Sequence, residues 1–474
     1  MGVLFQILAT VLLCFSCMNM GLIYTWPSST ILLFKSENTT LHRPMEGVET
    51  ALFGSLPAIG SLIIHPVAGI ALDKFGRKRT ALLTSLVFVM SWSIIAVSNK
   101  VEAILVAAFL SGFGYAIFME VTIYISEIAQ DSIRGVLTSC PNQFSGFGIL
   151  ISYFLGGSLG YYAMVYTCLS LTVIGVLMIA VLKESPITLM GEGRDEEAAN
   201  SLAFYRSSNR TSKEIVTELN NIRRTLKSNS EEAYSLTQVG VDEGGPELEP
   251  SKIFCWQHFK TTPSTRRQFS LVMVLHTVFV CQGLPIVQVY AEPMFTEAVG
   301  DTLSPNLCSI ILGLVVLLAG MISAYLTDVV GRRPLELSSS IVTGICCLVL
   351  GTQIVTECLP KWTVPLLIYV FATSHTLGTG TVPFVVSAEV FLPEVKSILM
   401  MIATEWSWIC NFCFLFLFDI LVQSAGLAPM FYFFSFVCFV SSVYFFYFLP
   451  ETKGLPVYAI QALFMKEEEL KMKH

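Results

Sequence analysis

The chain has 474 residues, of which 54% are apolar and 13% are charged. A soluble domain carries about 25% charged residues, so the composition argues against one. It also excludes a disordered chain, a collagen-like fibre and a secreted disulfide scaffold. The net charge of −7 says little, because membrane topology depends on where Lys and Arg lie. The 13 cysteines fall mostly within apolar runs, where they act as small hydrophobic residues.

Twelve apolar runs are long enough to cross a bilayer, since a spanning helix needs about 20 apolar residues. We therefore predict an all-α membrane protein with twelve transmembrane helices. The predicted spans are 3–27, 48–72, 80–98, 101–124, 140–160, 163–183, 268–291, 305–327, 334–355, 362–388, 398–421 and 428–448.

The spans divide the chain into four predicted parts. These are an N-terminal bundle over 1–183, a linker over 184–267, a C-terminal bundle over 268–448 and a tail over 449–474. Part of the linker is rich in helix-forming residues and is predicted to form short surface helices. The stretch 231–250 is rich in Gly, Pro, Ser and acidic residues, which predicts a flexible insertion.

Basic residues are concentrated in loops on one side of the predicted spans. Residues 74–79 hold four Lys or Arg, and Arg332 and Arg333 share a second loop. The positive-inside bias places both termini and the linker in the cytoplasm, and we expect a monomer in the plasma membrane. Asn38 begins a glycosylation acceptor pattern in the first outside loop, a position that agrees with this topology.

Three charged motifs occur twice, in the same order and 255–267 residues apart. Such a duplication predicts two homologous six-helix bundles. Charged side chains at helix ends can pair, and such pairs can lock one arrangement of the bundles and open in the other. Glu127 and Arg134 are expected to bridge neighbouring helices. The alternative is that these are ordinary positive-inside loop residues. The predicted charge network consists of Asp73, Arg77, Glu127, Arg134, Glu184, Asp328, Arg332, Arg333, Glu389 and Glu451.

The repeated motifs resemble those of the sugar porter family of the major facilitator superfamily, over nearly the whole chain. The resemblance implies two six-helix bundles with a cytoplasmic helical domain between them and a central cavity. It also implies transport of a sugar or related small polar solute by alternating access. The Tyr-Thr-Trp-Pro-Ser run over 24–28 is similar to arthropod members called facilitated trehalose transporters. The motifs that carry the family resemblance are 73–79, 124–135, 184–186, 387–391 and 450–454.

The chain departs from the family at positions where the family binds sugar. The seventh-helix motif Gln-Gln-x-Ser-Gly-x-Asn reads Phe-Val-Cys-Gln-Gly-Leu-Pro over 279–285, and the eighth-helix Asn is replaced by Val316. The tenth-helix motif Gly-Pro-x-Pro-Trp reads Gly-Thr-Val-Pro-Phe over 380–384. A pyranose needs buried donors and acceptors that match its hydroxyls, so hexose specificity stays open. The residues predicted to bind the solute are Gln282, Gln288, Tyr290, Phe384, Trp408 and Asn411.

Four more polar side chains could replace the lost groups, or could be satisfied by ordinary contacts within and between helices. They are His276, His375, Tyr153 and Gln143.

The energy source is predicted from two missing residues. Proton-coupled members of the family carry an Asp in the first helix and an Arg in the fourth. Here the first span has no acidic or basic residue before Lys35, and the fourth has Ala108. We therefore predict facilitative transport, with a proton-coupled or non-sugar transporter of the same fold as the alternative. Glu120 lies within the fourth span and is a functional-site hypothesis: a proton site, an extension of the charge network, or part of the cavity mouth.

Two other functional classes are less favoured. An enzyme is not expected, because the sequence contains no Walker loop, metal-spaced His/Cys cluster or nucleophile–base pair. We also predict no cofactor, no metal and no nucleic-acid partner; the expected partners are a small solute and the lipid bilayer. A non-transporting sensor of the same fold would need a signalling segment, for which 231–250 is the candidate.

Overall fold

The structure is a computed structural model and describes residues 2–213, 215–224, 226, 259, 262–300 and 303–465. The regular secondary structure within these ranges is helical. The predicted insertion 231–250 and the end of the predicted tail, 466–474, lie outside the described residues.

The N-terminal bundle has six spans. Its helices are α1 Gly2–Lys35, α2 Gly47–Phe75, α3 Arg77–Val97, α4 Val101–Phe113, α5 Ile117–Ile128, α6 Asp131–Ser158 and α7 Tyr161–Val181. The fourth span is made of α4 and α5, which a 3₁₀ turn over Gly114–Ala116 joins. Two short helices follow in the linker: α8 Pro186–Gly191 and α9 Asp195–Arg206.

The C-terminal bundle also has six spans, and two of them are interrupted. The helices are α10 Pro263–Cys281, α11 Leu284–Val289, α12 Ala291–Val299, α13 Pro305–Val330, α14 Arg332–Thr356, α15 Thr363–Leu377, α16 Val382–Val390, α17 Pro393–Ala425, α18 Leu427–Phe448 and α19 Val457–Leu463. The seventh span breaks at Gly283, whose φ of +98° favours glycine.

Ten helices in the described part of the chain are long and apolar enough to cross a membrane. The other two predicted spans correspond to α6, whose first half is polar, and to the pair α15 and α16. Each helix of that pair has 15 residues or fewer, so neither could cross alone.

Two helices extend well beyond the predicted spans. The first span was expected to end at residue 27, but α1 continues through Pro27 to Lys35. The fifth was expected to begin at residue 140, but α6 begins at Asp131 and contains Pro141. Proline is tolerated inside membrane helices where neighbouring helices and hydroxyl side chains satisfy the freed backbone groups.

Glycines let helices of the N-terminal bundle approach closely. A Cβ added at Gly21 of α1 would lie 2.0 Å from the carbonyl oxygen of Ser145 in α6. A Cβ at Gly112 of α4 would lie 2.1 Å from the carbonyl oxygen of Pro57 in α2. Membrane helices associate through such small residues because lipid supplies no hydrophobic driving force between them.

The linker helix α9 docks on one end of the N-terminal bundle. Arg206 Nη1 donates to the carbonyl oxygen of Ile128 at 2.7 Å, and Tyr205 donates to the carbonyl oxygen of Lys183 at 2.5 Å. Phe204 also packs against Phe5 of α1, with ring centroids 5.3 Å apart. We call this end of the bundles the linker face and the other end the opposite face.

Candidate functional site

One arginine, Arg77, joins three helix ends at the linker face of the N-terminal bundle. Arg77 Nε donates to Glu127 Oε1 at 2.9 Å, and its Nη1 donates to the carbonyl oxygen of Leu72 at 3.0 Å. Asp73, one turn before, lies 3.6 Å from the same guanidinium. Ser185 donates to the other oxygen of Glu127. Arg77 therefore ties the end of α2 and the start of α3 to the end of α5.

A second carboxylate holds the tight turn between α2 and α3. Glu184 Oε1 accepts hydrogen bonds from the backbone N–H groups of Lys78 at 2.9 Å and Ser185 at 3.0 Å. The turn passes through Gly76 at a φ of +87°. A Cβ at this position would lie 2.7 Å from Glu184 Oε2. The carboxylate can therefore lie this close to the turn only if residue 76 is glycine.

The C-terminal bundle repeats this arrangement with the equivalent residues, and its arginine makes two hydrogen bonds to the carboxylate where Arg77 makes one. Arg332 donates through Nη2 to Glu389 Oε1 at 2.6 Å and through Nε to Glu389 Oε2 at 3.2 Å. Its Nη1 donates to the carbonyl oxygen of Thr327 at 3.0 Å, and Asp328 lies 3.1 Å from the guanidinium. Thr452 donates to Glu389 Oε2 at 2.7 Å, in the place of Ser185. The duplication seen in the sequence is therefore a duplication of contacts.

Glu451 plays the part of Glu184 in this second copy. Its two oxygens accept from the backbone N–H groups of Arg332 at 3.0 Å and Arg333 at 3.1 Å. The turn passes through Gly331, with a φ of +103° and a Glu451 oxygen 2.7 Å from an added Cβ. The contacts described for each copy join helices of one bundle, so the predicted locking of one bundle against the other stays a prediction.

Arg134 lies beside the linker. It lines a groove of about 620 Å³ between the turn after α5 and linker residues such as Lys213 and Glu218. The carboxylate of Glu127 accepts hydrogen bonds from Arg77 and Ser185. The bridging role expected for Arg134 stays a prediction.

Replacing Gly331 with alanine should destabilise the protein strongly. A non-glycine residue at this φ costs about 1–3 kcal/mol, and the added methyl group would displace Glu451 from two backbone donors. The melting temperature of the purified protein measures the effect. Gly69→Ala is the matched control, because nothing lies within 4 Å of its Cβ and its helix should gain from alanine. Equal melting temperatures for the two variants would contradict the proposed strain.

A small cavity lies at the interface of the two bundles, near the middle of the spans. Its walls include Tyr24, Pro57 and Tyr115 of the N-terminal bundle and Trp408, Asn411 and Leu415 of the C-terminal bundle. Its volume of about 10 Å³ is space for one water molecule. A larger solute could enter only if the bundles moved apart.

Two of the six predicted solute-binding residues, Trp408 and Asn411, line this cavity. The ring of Trp408 stacks on His65 of α2, with centroids 5.8 Å apart, and lies 5.6 Å from the ring of Tyr115. The oxygen Asn411 Oδ1 is buried and has no hydrogen-bond partner. Both residues lie on one face of α17, as their spacing of three predicts.

The other four predicted residues lie elsewhere. Gln282 is fully buried and donates to Ser340 at 2.9 Å, inside the C-terminal bundle rather than at the cavity. Phe384 packs edge-on against Phe279, with ring centroids 5.4 Å apart. Gln288 and Tyr290 take part in contacts near the opposite face, which are described below.

The two candidate histidines contact neighbours within the C-terminal bundle, but only His276 is fully satisfied. His276 lies 2.6 Å from Ser407 Oγ and 3.1 Å from Ser387 Oγ through its two ring nitrogens. His375 Nε2 lies 3.2 Å from the carbonyl oxygen of Phe279, whereas its Nδ1 is buried and has no partner among the described residues. The contacts of His276 are therefore ordinary ones between helices, and the role of His375 stays a prediction.

Hydrogen bonds between the two bundles close the cavity toward the opposite face. They join Tyr24 to the carbonyl oxygen of Pro285 at 3.3 Å, Tyr153 to the carbonyl oxygen of Gln288 at 2.6 Å, and Ser28 to the backbone N–H of Glu292 at 2.9 Å. Two of the acceptors belong to the short helix α11, which follows the break at Gly283. Tyr290 donates to the carbonyl oxygen of Leu415 in its own bundle at 3.2 Å, and its hydroxyl also lies close to Gly54 of α2, where an added Cβ would be 2.9 Å away.

An ion pair completes this closure at the far ends of the helices. Lys35 is the last residue of α1. Its Nζ atom lies 3.0 Å and 3.2 Å from the two carboxylate oxygens of Asp419 in α17. Gln423 donates to the same carboxylate at 2.8 Å. The side chain of Asp419 is 10% exposed and that of Lys35 is 32% exposed. Asn38, the predicted glycosylation acceptor, is exposed in the next loop.

Two buried carboxylates lie within the bundles and away from the cavity. Glu120 is 1% exposed and accepts a hydrogen bond from Thr84 at 2.8 Å. Glu336, which the sequence analysis did not single out, is fully buried and accepts from Thr379 at 3.0 Å. Each bridges the third and fourth helices of its bundle, and each has one oxygen without a partner. Glu120 therefore lies neither in the charge network nor at the cavity.

The chain is similar to known transporters over almost its whole length. The sequence profile of the family described as "Sugar (and other) transporter" matches residues 3–464. The facilitated trehalose transporter Tret1 of Culex quinquefasciatus is 27% identical over 459 residues, which cover 95% of this chain and 84% of that protein. Tret1 of Aedes aegypti is 25% identical over 95% of this chain. This chain spans only about half of the Aedes protein, because the match covers 54% of it.

A solved structure has the same fold. The inward open conformation of the xylose transporter XylE from E. coli superposes with a TM-score of 0.76 at 17% identity, covering 96% of this chain and 98% of that chain. The prediction of an all-helical protein of the major facilitator fold is thereby confirmed. With a family profile that matches nearly every residue, the chain belongs to the sugar transporter family, and it is a multi-pass membrane transporter rather than an enzyme.

Proposed function

We propose that this protein carries a sugar or a closely related polyhydroxylated solute across the membrane by facilitated alternating access. The observation that carries the proposal is the central cavity, whose walls come from both bundles. Hydrogen bonds between the bundles close this cavity toward the opposite face. A site shared by two bundles opens to one side and then the other when the bundles rock about it. The relatives named as trehalose transporters make trehalose the first candidate.

The linker face is proposed to be the cytoplasmic one. Its loops carry Lys74, Lys78, Arg332 and Arg333, as the positive-inside bias requires. The closed opposite face would then be extracellular and would expose Asn38 for glycosylation. A monomer in the plasma membrane remains the expectation for the assembled protein.

Transport is proposed to be passive. Among the described residues, no Lys or Arg lines the cavity, and the first-helix Asp and fourth-helix Arg of the family's proton-coupled members are absent from the sequence. Glu120 supports the alternative of proton coupling, since a membrane carboxylate is expensive to keep without a role. Its place beside Thr84, away from the cavity, favours a structural role instead.

Glu120→Gln separates these two functions. The amide keeps the shape of the side chain and can still accept from Thr84, so a passive carrier should retain most of its uptake. A proton-coupled carrier should lose accumulation driven by a pH gradient while still exchanging solute. Glu297→Gln, at an exposed site in α12, is the control.

The proposed function is tested by uptake into proteoliposomes. Labelled trehalose and labelled glucose are offered separately, with protein-free liposomes as the blank. We expect saturable entry of at least one of these sugars that stops when inside and outside concentrations are equal. If both sugars entered no faster than into protein-free liposomes while a non-sugar solute was taken up, sugar transport would be contradicted. That result would support the alternative, a transporter of the same fold for a non-sugar solute.

A further inference from the structure

We propose that Tyr115 is a solute-binding residue, whose hydroxyl forms a hydrogen bond with a hydroxyl of the carried solute and sets the preference for polyhydroxylated solutes. The inference rests on the proposed function and names a residue that supplies part of the polarity missing from the seventh helix.

The position of Tyr115 is fixed by the break in the fourth span. It is the central residue of the 3₁₀ turn between α4 and α5, and it is 1% exposed. The preceding Gly114 packs so closely on Phe88 that a Cβ would lie 2.4 Å from the ring. A 3₁₀ stretch within a helix is common at functional positions, and this one directs the Tyr115 ring to the cavity wall.

Two polar atoms of the cavity wall have no hydrogen-bond partner among the described residues. The hydroxyl of Tyr115 and the oxygen Asn411 Oδ1 are both buried without a hydrogen-bond partner, although a buried polar group normally has one. The neighbouring hydroxyl of Tyr24 differs, because it donates to the carbonyl oxygen of Pro285. A donor on one bundle and an acceptor on the other are therefore left open in the same cavity.

A solute hydroxyl matches this pair. A hydroxyl can accept one hydrogen bond while it donates another, so it can accept from Tyr115 and donate to Asn411. One hydroxyl would then bridge the two bundles, which links binding of the solute to their relative movement. A cation or anion fits less well, because the described part of the chain places no charged side chain in the cavity wall.

The aromatic walls suit a ring-shaped solute. The ring of Tyr115 lies 5.6 Å from Trp408 at 37° and 6.4 Å from Tyr24 at 60°. Aromatic faces pack against the C–H groups of a sugar ring while a few polar atoms fix its orientation, as in other small-molecule sites. Since the cavity has space for only about one water molecule, the solute must separate Tyr115 from Trp408 as it enters.

Tyr115→Phe tests the inference, because it removes only the hydroxyl. We expect the half-saturation concentration for labelled trehalose or glucose to rise about three- to tenfold, the loss of one neutral hydrogen bond, with little change in the maximal rate. Tyr161→Phe is the matched control: its hydroxyl is also buried without a partner, but it packs on Phe34 outside the cavity. It should transport like the wild type.

The outcomes separate the inference from the proposed function. A wild type that saturates with sugar and a Tyr115→Phe variant with the same half-saturation concentration would overturn the inference alone. A wild type that moves neither sugar would overturn the proposed function, and the inference with it. If Tyr115→Phe does not fold, a series of monodeoxy glucoses is measured on the wild type. We expect at least one position to weaken transport, and equal half-saturation for the whole series would overturn the inference.

Discussion

Replacing Arg332 with glutamine should destabilise the protein by about 3–5 kcal/mol, the usual result of removing one partner of a buried ion pair. It should also reduce transport to a small fraction of the wild-type rate. The side chain of Arg332 is 9% exposed and that of Glu389 is 26% exposed, so water cannot compensate the carboxylate fully. The guanidinium also donates a hydrogen bond to the carbonyl oxygen of Thr327. Replacing Arg332 therefore removes the donor that joins three helix ends.

Arg332→Lys should be intermediate, because lysine cannot make the two-point contact with Glu389. The control is Arg194→Gln, which removes ion pairs with Glu192 and Glu197 on the exposed linker surface, where such pairs contribute about 0–1 kcal/mol. Melting temperature and initial uptake rate are measured for all three variants. If Arg332→Gln and Arg194→Gln had the same effect, the repeated network would have no role beyond that of ordinary surface pairs.

Cross-linking positions 35 and 419 should block transport almost completely. The ion pair between Lys35 and Asp419 joins α1 of one bundle to α17 of the other, so opening toward the opposite face must separate it. A Lys35→Cys, Asp419→Cys protein, treated with a short bis-methanethiosulfonate reagent that forms a disulfide bond with each thiol and releases two sulfinate groups, should stop carrying solute. Uptake should return when a reductant cleaves the link.

The controls for this experiment are the two single cysteine variants, treated with the same reagent, because Cys358 and Cys413 of the native chain are also exposed. Their uptake should stay close to that of the untreated proteins. Unchanged transport by the fully cross-linked double variant would show that the bundles do not part at this face during transport.

The two bundles and the pairs of charged residues could be predicted from the sequence for a physical reason. In lipid, each span must satisfy its backbone internally, so an apolar run of the right length leaves few structural choices. The charged motifs are short and occur twice, and the pairing of Arg77 with Glu127 has a counterpart in the pairing of Arg332 with Glu389. Their role in locking one bundle against the other stays a prediction.

The cavity was predicted only in part, because its walls depend on how the helices rotate. The residues Trp408 and Asn411 share a face of an unbroken stretch of α17, so their spacing was informative. Gln282 lies next to the break at Gly283 and has turned into the bundle toward Ser340. The direction of a side chain beside a break depends on the exact backbone angles there, which the sequence does not display.

The contacts between the two bundles could not be predicted, because they follow no pattern in the amino-acid sequence. Lys35 and Asp419 are 384 residues apart, and neither belongs to a repeated motif. Tyr115 is an isolated tyrosine in an apolar span. The one available signal was the pair of glycines just before it, Gly112 and Gly114, which marks a weak point in the helix.

Counterflow in proteoliposomes tests passive sugar transport by alternating access most directly. Vesicles are loaded with unlabelled trehalose, ionophores remove any pH gradient, and a trace of labelled trehalose is added outside. We expect the label to accumulate transiently above its external concentration and then decay, because a carrier exchanges its site between the two sides. No transient accumulation, or accumulation that requires an imposed pH gradient, would contradict facilitated transport of trehalose by this protein.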